Sequence, residues 1–213
     1  MVSTYDRIAE EIAAMAAKLG TNDQLLVGFA GPPGGGKSTT AEQVHRRVPN
    51  SVVVPMDGYH FTKEQLRQFP DPETALARRG AHWTFDGEAF VTALQKLKHD
   101  KHGSFPAFEH GVGDPVQGNI IVEGPETHKV VLIEGNYLTL DIPPWDQITT
   151  ILDFTYFIDC DLPVVEQRVL KRHIAVNGNT PERALERVTV NDSPNAQLVL
   201  ASKHRANAII QSL

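Results

Sequence analysis

Between Gly31 and Ser38 the chain reads Gly-Pro-Pro-Gly-Gly-Gly-Lys-Ser, which fills the Walker A pattern G-x-x-x-x-G-K-[ST] completely. Each residue type has a chemical reason to be there. Gly31 opens the loop, and Gly34, Gly35 and Gly36 let the backbone turn tightly enough for its N–H groups to point at phosphate oxygens. A helix starting at Lys37 aims its positive end at the same place. Lys37 supplies a mobile cation for β- and γ-phosphates, and Ser38, followed by Thr39, offers a hydroxyl to Mg²⁺. The ligand implied is Mg-ATP. A guanine-specific site would call for an Asn-Lys-x-Asp type loop, which the sequence lacks.

Two acids stand where such a ligand would need them. Glu134 ends the apolar run Val130 to Ile133, and Asp57 follows Val52 to Val54. In parallel sheets ligands gather at the carboxyl ends of strands. Glu134 is therefore the candidate to hold Mg²⁺, usually through a water, and the following Gly135-Asn136 suits a tight turn near ligand. Asp57 is the candidate to take the proton of an attacking hydroxyl. The plainer alternatives are a strand-end acid facing solvent and a turn aspartate in Met56-Asp57-Gly58.

These groups need a scaffold, and the hydrophobic pattern supplies one. Ile8, Ile12, Met15 and Leu19 share one helical face, closed by Gly20. Leu25 to Ala30 is a continuously apolar run of the kind buried on both faces of a parallel sheet, and a helix follows from about Lys37 to Val48. Ser51 to Val54, Val130 to Glu134 and Phe154 to Asp159 read as further strands. Helical stretches are expected over Phe61 to Arg79, interrupted around Pro70 and Pro72, and over Gly87 to His99, Pro163 to Ala175 and Pro181 to Val188. The Gly- and Pro-rich stretch Lys101 to Gly118 reads as an ordered loop, and Leu198 to Ala201 as a last strand. Alternating strands and helices imply an α/β fold with a doubly wound, mainly parallel sheet.

The bulk numbers agree with one domain spanning 1–213. The chain has 213 residues, 41% of them hydrophobic and 22% charged, with a formal net charge of −6. No long basic run appears, so neither nucleic acid nor a membrane surface is an expected partner. No stretch is apolar enough to span a bilayer, no signal pattern opens the chain, and the lone Cys160 suits a reducing compartment. A cytoplasmic monomer or homodimer is expected. The nine histidines show no metal-binding spacing, so no zinc site is expected.

The Walker A loop is followed in order by Met56-Asp57-Gly58-Tyr59-His60, Arg78-Arg79-Gly80 with Phe85-Asp86, Pro106-Ala107-Phe108-Glu109-His110 and Glu134-Gly135-Asn136-Tyr137. This series resembles the phosphoribulokinase/uridine kinase/bacterial pantothenate kinase superfamily from about Leu25 to the C-terminus. It looks most like the branch labelled fructose-transport-system kinase. The resemblance implies a P-loop kinase that transfers the γ-phosphoryl group of ATP to a hydroxyl of a small metabolite: a sugar, a nucleoside or a pantothenate-like acid. Asp57 would be the catalytic base and Glu134 the acid of the Walker B strand. Tyr59, His60, Arg78, Arg79, Phe108, His110, Asn136 and Tyr137 would lie on the acceptor side, with Trp83 and Phe85 nearby.

The resemblance also implies a small helical lid at about Arg168 to Arg187, with Arg168 and Arg172 closing on the phosphates together with Lys37. True uridine kinases carry a denser arginine run there. Asn195 would lie near the adenine or merely cap a turn. His60 and His110 would donate to substrate hydroxyls or serve the structure. Arg78 and Arg79 would clamp an acidic acceptor or pair with Asp86 and Glu88. The alternative activity is that of a P-loop NTPase or nucleotide-dependent regulator with water as acceptor.

Overall fold

The structure is a computed structural model that describes residues 3–109, 113–176 and 178–213. Helix α1 (Thr4–Ala16) is started by a capping box in which Ser3 and Asp6 satisfy each other's backbone N–H groups. Strand β1 (Leu25–Ala30) runs into the phosphate loop and α2 (Lys37–His45) leaves it. Next come β2 (Ser51–Pro55), a single 3₁₀ turn (Met56–Tyr59), and the short helices α3 (Lys63–Leu66) and α4 (Pro72–Ala77). Helix α5 (Gly87–Asp100) leads to β3 (Gly103–Glu109), β4 (Asp114–Val122) and β5 (Val130–Gly135). The chain closes with α6 (Ile148–Ile151), β6 (Phe154–Asp159), α7 (Leu162–Ala175), α8 (Pro181–Arg187), α9 (Ser193–Ala201) and β7 (Ala208–Gln211).

Five strands form one sheet in the order β2-β5-β1-β6-β7, every neighbouring pair parallel. Its alternating residues feed two cores. Leu26, Ala30, Val131 and Ile133 point to the face packed by Phe90, Leu94 and Leu97 of α5, with Val199 of α9. Val27, Phe29, Val130 and Leu132 point to the face packed by Ile8 and Ile12 of α1 and Ala41 and Val44 of α2. Burial on both faces is why these strands read as continuous apolar runs instead of alternating ones. This is the doubly wound P-loop fold.

Two expectations are overturned. The segment Lys101 to Gly118 is not a loop: most of it forms the antiparallel pair β3–β4. Pro106 fits because the register shifts between Phe105 and Ala107, where no ladder N–H is required. Leu198 to Ala201 is not a strand but the last turns of α9, which has Pro194 in its first turn. The final strand is β7, whose partner is β6.

Helices α8 and α9 are joined without a break by a π-helical turn, Val188–Asp192. The wider turn directs Asn191 and Asp192 inward, where they are 1% and 9% exposed. Asp192 meets His173 of α7 at 2.8 Å, binding the two helical stretches together. No helix among the described residues is long and apolar enough to cross a membrane.

Candidate active site

The carboxyl ends of β1, β2 and β5 lie side by side, since Glu134 is in register with both Phe29 and Pro55. The phosphate loop, the 3₁₀ turn bearing Asp57 and the turn bearing Asn136 therefore open onto one place. A cleft of about 290 Å³ there is lined by Lys37, Ser38, Asp57, Glu134, Asn136 and Arg172, among others.

The loop's backbone is what its glycines allow. Gly34 and Gly36 sit at φ +73° and +95°, in the left-handed region that side chains disfavour. Lys37 is 7% exposed and donates from Nζ to the Pro32 carbonyl at 3.0 Å. Burial lowers its pKa, while the Glu134 and Asp57 charges oppose the shift.

Glu134 is likewise buried, and burial pushes its carboxyl up to about 7, with the Asp57 charge adding to the rise. Lys37 and a hydrogen bond from Ser38 pull the other way. A buried carboxylate bonded to a hydroxyl and facing a second carboxylate offers hard oxygen donors of the sort Mg²⁺ takes. Among the described residues no group of three or more His, Cys, Asp or Glu side chains could hold a metal, so the remaining ligands would be phosphate oxygens and water, as is usual for this ion.

Asp57 is placed by its neighbours in sequence. Pro55 ends β2, and Gly58 lies so close beneath β3 that a Cβ there would fall 2.0 Å from the Pro106 carbonyl oxygen. His60 bonds through Nδ1 to the Asp57 backbone oxygen at 2.8 Å. A carbonyl only accepts, so Nδ1 carries the proton and Nε2 presents a lone pair. Burial pushes the imidazole below its ordinary pKa, against the opposing pull of Asp57. The ring lies between Phe85 and Phe108, at 3.8 and 4.9 Å. The sequence left His60 open between a donor to substrate and a structural histidine; its Nδ1 is committed to the Asp57 backbone oxygen.

Other expected site residues are committed elsewhere. Tyr137 is 0% exposed and donates its hydroxyl to the Gly80 carbonyl at 2.6 Å. Tyr59 packs on Phe90, and burial raises its hydroxyl to about 12. Phe85 also joins the core, while Trp83 is 39% exposed. Neither arginine of Arg78-Arg79 pairs with Asp86 or Glu88. Arg78 donates to Asn191 and Asn195, both at 3.3 Å. Arg79 donates to the Phe61 and Gly113 carbonyls and to Asp114, pinning the β3–β4 pair, and packs against Phe108. Asn195 is buried in the Arg78 network and lines neither the cleft nor the groove behind it. His110 lies outside the described residues.

The two arginines of α7 part company. Arg172 lines the cleft. Arg168 lies behind the loop, donating to Ser212 at 2.7 Å and to the Leu213 carbonyl at 2.9 Å. It borders a groove of about 220 Å³ with Tyr5, Gly35, Thr40 and Ser212, and this groove shares Gly34, Gly36 and Thr39 with the cleft. Ser212 also donates to the Gly35 carbonyl at 2.8 Å. Nothing local in the sequence marks Ser212, which lies 177 residues from its loop partner.

Residues 26–213 match the sequence model described as "Phosphoribulokinase / Uridine kinase family". The chain is 35% identical over 222 residues to a Schizosaccharomyces pombe protein named "Putative uridine kinase C227.14", with 100% of this chain and 92% of that one aligned. It is 34% identical over 155 residues to "ATP-dependent kinase-like protein notR'" of Aspergillus versicolor, covering 70% of this chain and 88% of the relative. Among solved structures it is similar to a "putative fructose transport system kinase" from Silicibacter sp. TM1040, with a TM-score of 0.86 and 29% identity over 98% of this chain and 99% of the other.

Proposed function

This chain belongs to the phosphoribulokinase/uridine kinase family and is an ATP-dependent phosphotransferase with a hydroxyl acceptor; we propose that Asp57 is its base, that Ser38 and Glu134 hold Mg²⁺, and that the acceptor is a sugar, a nucleoside or a pantothenate-like acid. The observation that carries this reading is the shared cleft, in which Lys37, Ser38, Asp57, Glu134 and Arg172 converge.

Backbone N–H groups of Gly34 to Ser38, with Lys37, bind the β- and γ-phosphates. The nucleoside end of ATP runs into the groove of Thr39, Thr40 and Arg168, so Arg168 supports binding and Arg172 alone of the pair meets the transferring group. Mg²⁺, when bound, neutralises phosphate charge. The acceptor hydroxyl donates its proton to the Asp57 carboxylate as its oxygen bonds to the γ-phosphorus. The bond from that phosphorus to the bridging oxygen breaks, and ADP leaves. Arg172 offsets the charge spread over the equatorial oxygens. Residues 168–187 act as a lid within a single kinase domain, excluding water as they close.

Asp57→Asn keeps the shape and removes the base. It is expected to lower kcat about 100- to 10,000-fold with the Kd for Mg-ATP nearly unchanged, read from acceptor-dependent ADP release and from nucleotide titration. Turnover equal to the parent's would remove Asp57 from the role.

A further inference from the structure

A second cavity, of about 590 Å³, lies between α8 with its π-helical turn and the segment from α3 to α4. Its lining includes Lys63, Arg183, Arg187, Glu186, Asn179 and Asn191. Three cations against one carboxylate is a local excess of positive charge in a chain whose net charge is −6. Arg183 and Arg187 are four residues apart on α8, which puts both guanidiniums on one helical face.

A chain of contacts links the cavity to the turn that bears Asp57. Arg187 and Asn191 both donate to the Arg79 backbone carbonyl, at 3.3 and 3.0 Å. Arg79 packs on Phe108, Phe108 on His60, and His60 is bonded to Asp57. The nearer arginines are already consumed, Arg78 by two amides and Arg79 by two carbonyls and Asp114. No hydrogen bond or ion pair of the Arg183 guanidinium is found among the described residues, and Arg187 spends one N–H on a carbonyl. The forked donors left over on α8 match the oxygens of a phosphate monoester or a carboxylate.

We propose that this cavity, through Arg183 and Arg187, holds an anionic group of the phosphoryl acceptor, so that the acceptor is a phosphate monoester or a carboxylate rather than a neutral sugar or nucleoside. This rests on the kinase reading above. It also explains why Arg78 and Arg79 can be structural without leaving the acceptor's charge unmet.

Two measurements test it separately from that reading. In the first, inorganic phosphate and acetate are titrated by calorimetry into the full-length protein and its Arg183→Gln variant. Saturable binding of at least one anion, weakened more than tenfold by the substitution, supports the site; binding equal in both proteins overturns it. In the second, matched acceptors are compared: a sugar phosphate against its free sugar, and a hydroxy acid against its amide. A preference for the charged member, whose KM then rises more than tenfold in Arg183→Gln while the KM of ATP does not follow, supports the assignment and tells phosphate from carboxylate. Preference for the neutral member overturns it. Arg183-dependent anion binding in a protein that phosphorylates none of the four would uphold the anion site and overturn its assignment to the acceptor. Arg187→Gln serves as a second variant, its result interpreted once circular dichroism shows the fold intact, because Arg187 also supports the Arg79 carbonyl.

Discussion

Residues carrying charge at this site were legible where their chemistry is local. Lys37, Ser38, Asp57 and Glu134 follow apolar runs, so strand ends could be located and ligand placed beside them. Tyr59 and Tyr137 were not legible in the same way. An aromatic beside a catalytic acid looks like a pocket wall, and only packing shows that both are buried in the core. Glu134 yields a prediction about pH. Its pKa is raised from 4.5 to about 7, so the folded protein holds this proton more tightly than the unfolded chain does. The stability this confers is full below pH 4.5 and is lost as pH rises through 7, by up to about 3 kcal/mol. In nucleotide-free protein, Glu134→Gln should flatten the fall in unfolding free energy between pH 4.5 and 7, measured by urea titration at several pH values. An unaltered pH profile would contradict the burial and charge argument.

At the scale of elements, periodicity identified those whose faces are buried in the two cores, and it failed where turn residues mislead. Gly and Pro between Lys101 and Gly118 suggested a loop, yet the bulge at Pro106 lets β3 pair with β4. Four apolar residues at Leu198 suited either a strand or a helix, and Pro194 at the start of α9 is the residue that decides. The β3–β4 pair matters because it sets the height of Asp57 through Gly58. Gly58→Ala would drive a Cβ to 2.0 Å from the Pro106 oxygen, which backbone must move to relieve. A loss of about 1–3 kcal/mol is expected, along with a fall in kcat as Asp57 is displaced. A variant as stable and active as the parent would show that β3 does not press on the turn.

The molecule as a whole divides its labour across one sheet. The strand ends present a phosphate loop and two carboxylates, α7 brings Arg172 to them, and α8 lines a second cavity with cations of its own. Long-range ties such as Ser212 to Gly35 and Asn191 to Arg79 join these parts, and such ties leave no signal in local spacing. Whether the assembled site moves a phosphoryl group onto a metabolite is what the whole arrangement must answer. ³¹P NMR of the protein turning over Mg-ATP with a panel of sugars, nucleosides, hydroxy acids and their phosphates follows the γ-phosphorus directly. A new phosphate monoester resonance is expected on at least one acceptor, formed in step with ADP and missing with Asp57→Asn. ADP appearing only with inorganic phosphate, at the same rate with every acceptor and in the Asp57→Asn protein, would contradict it.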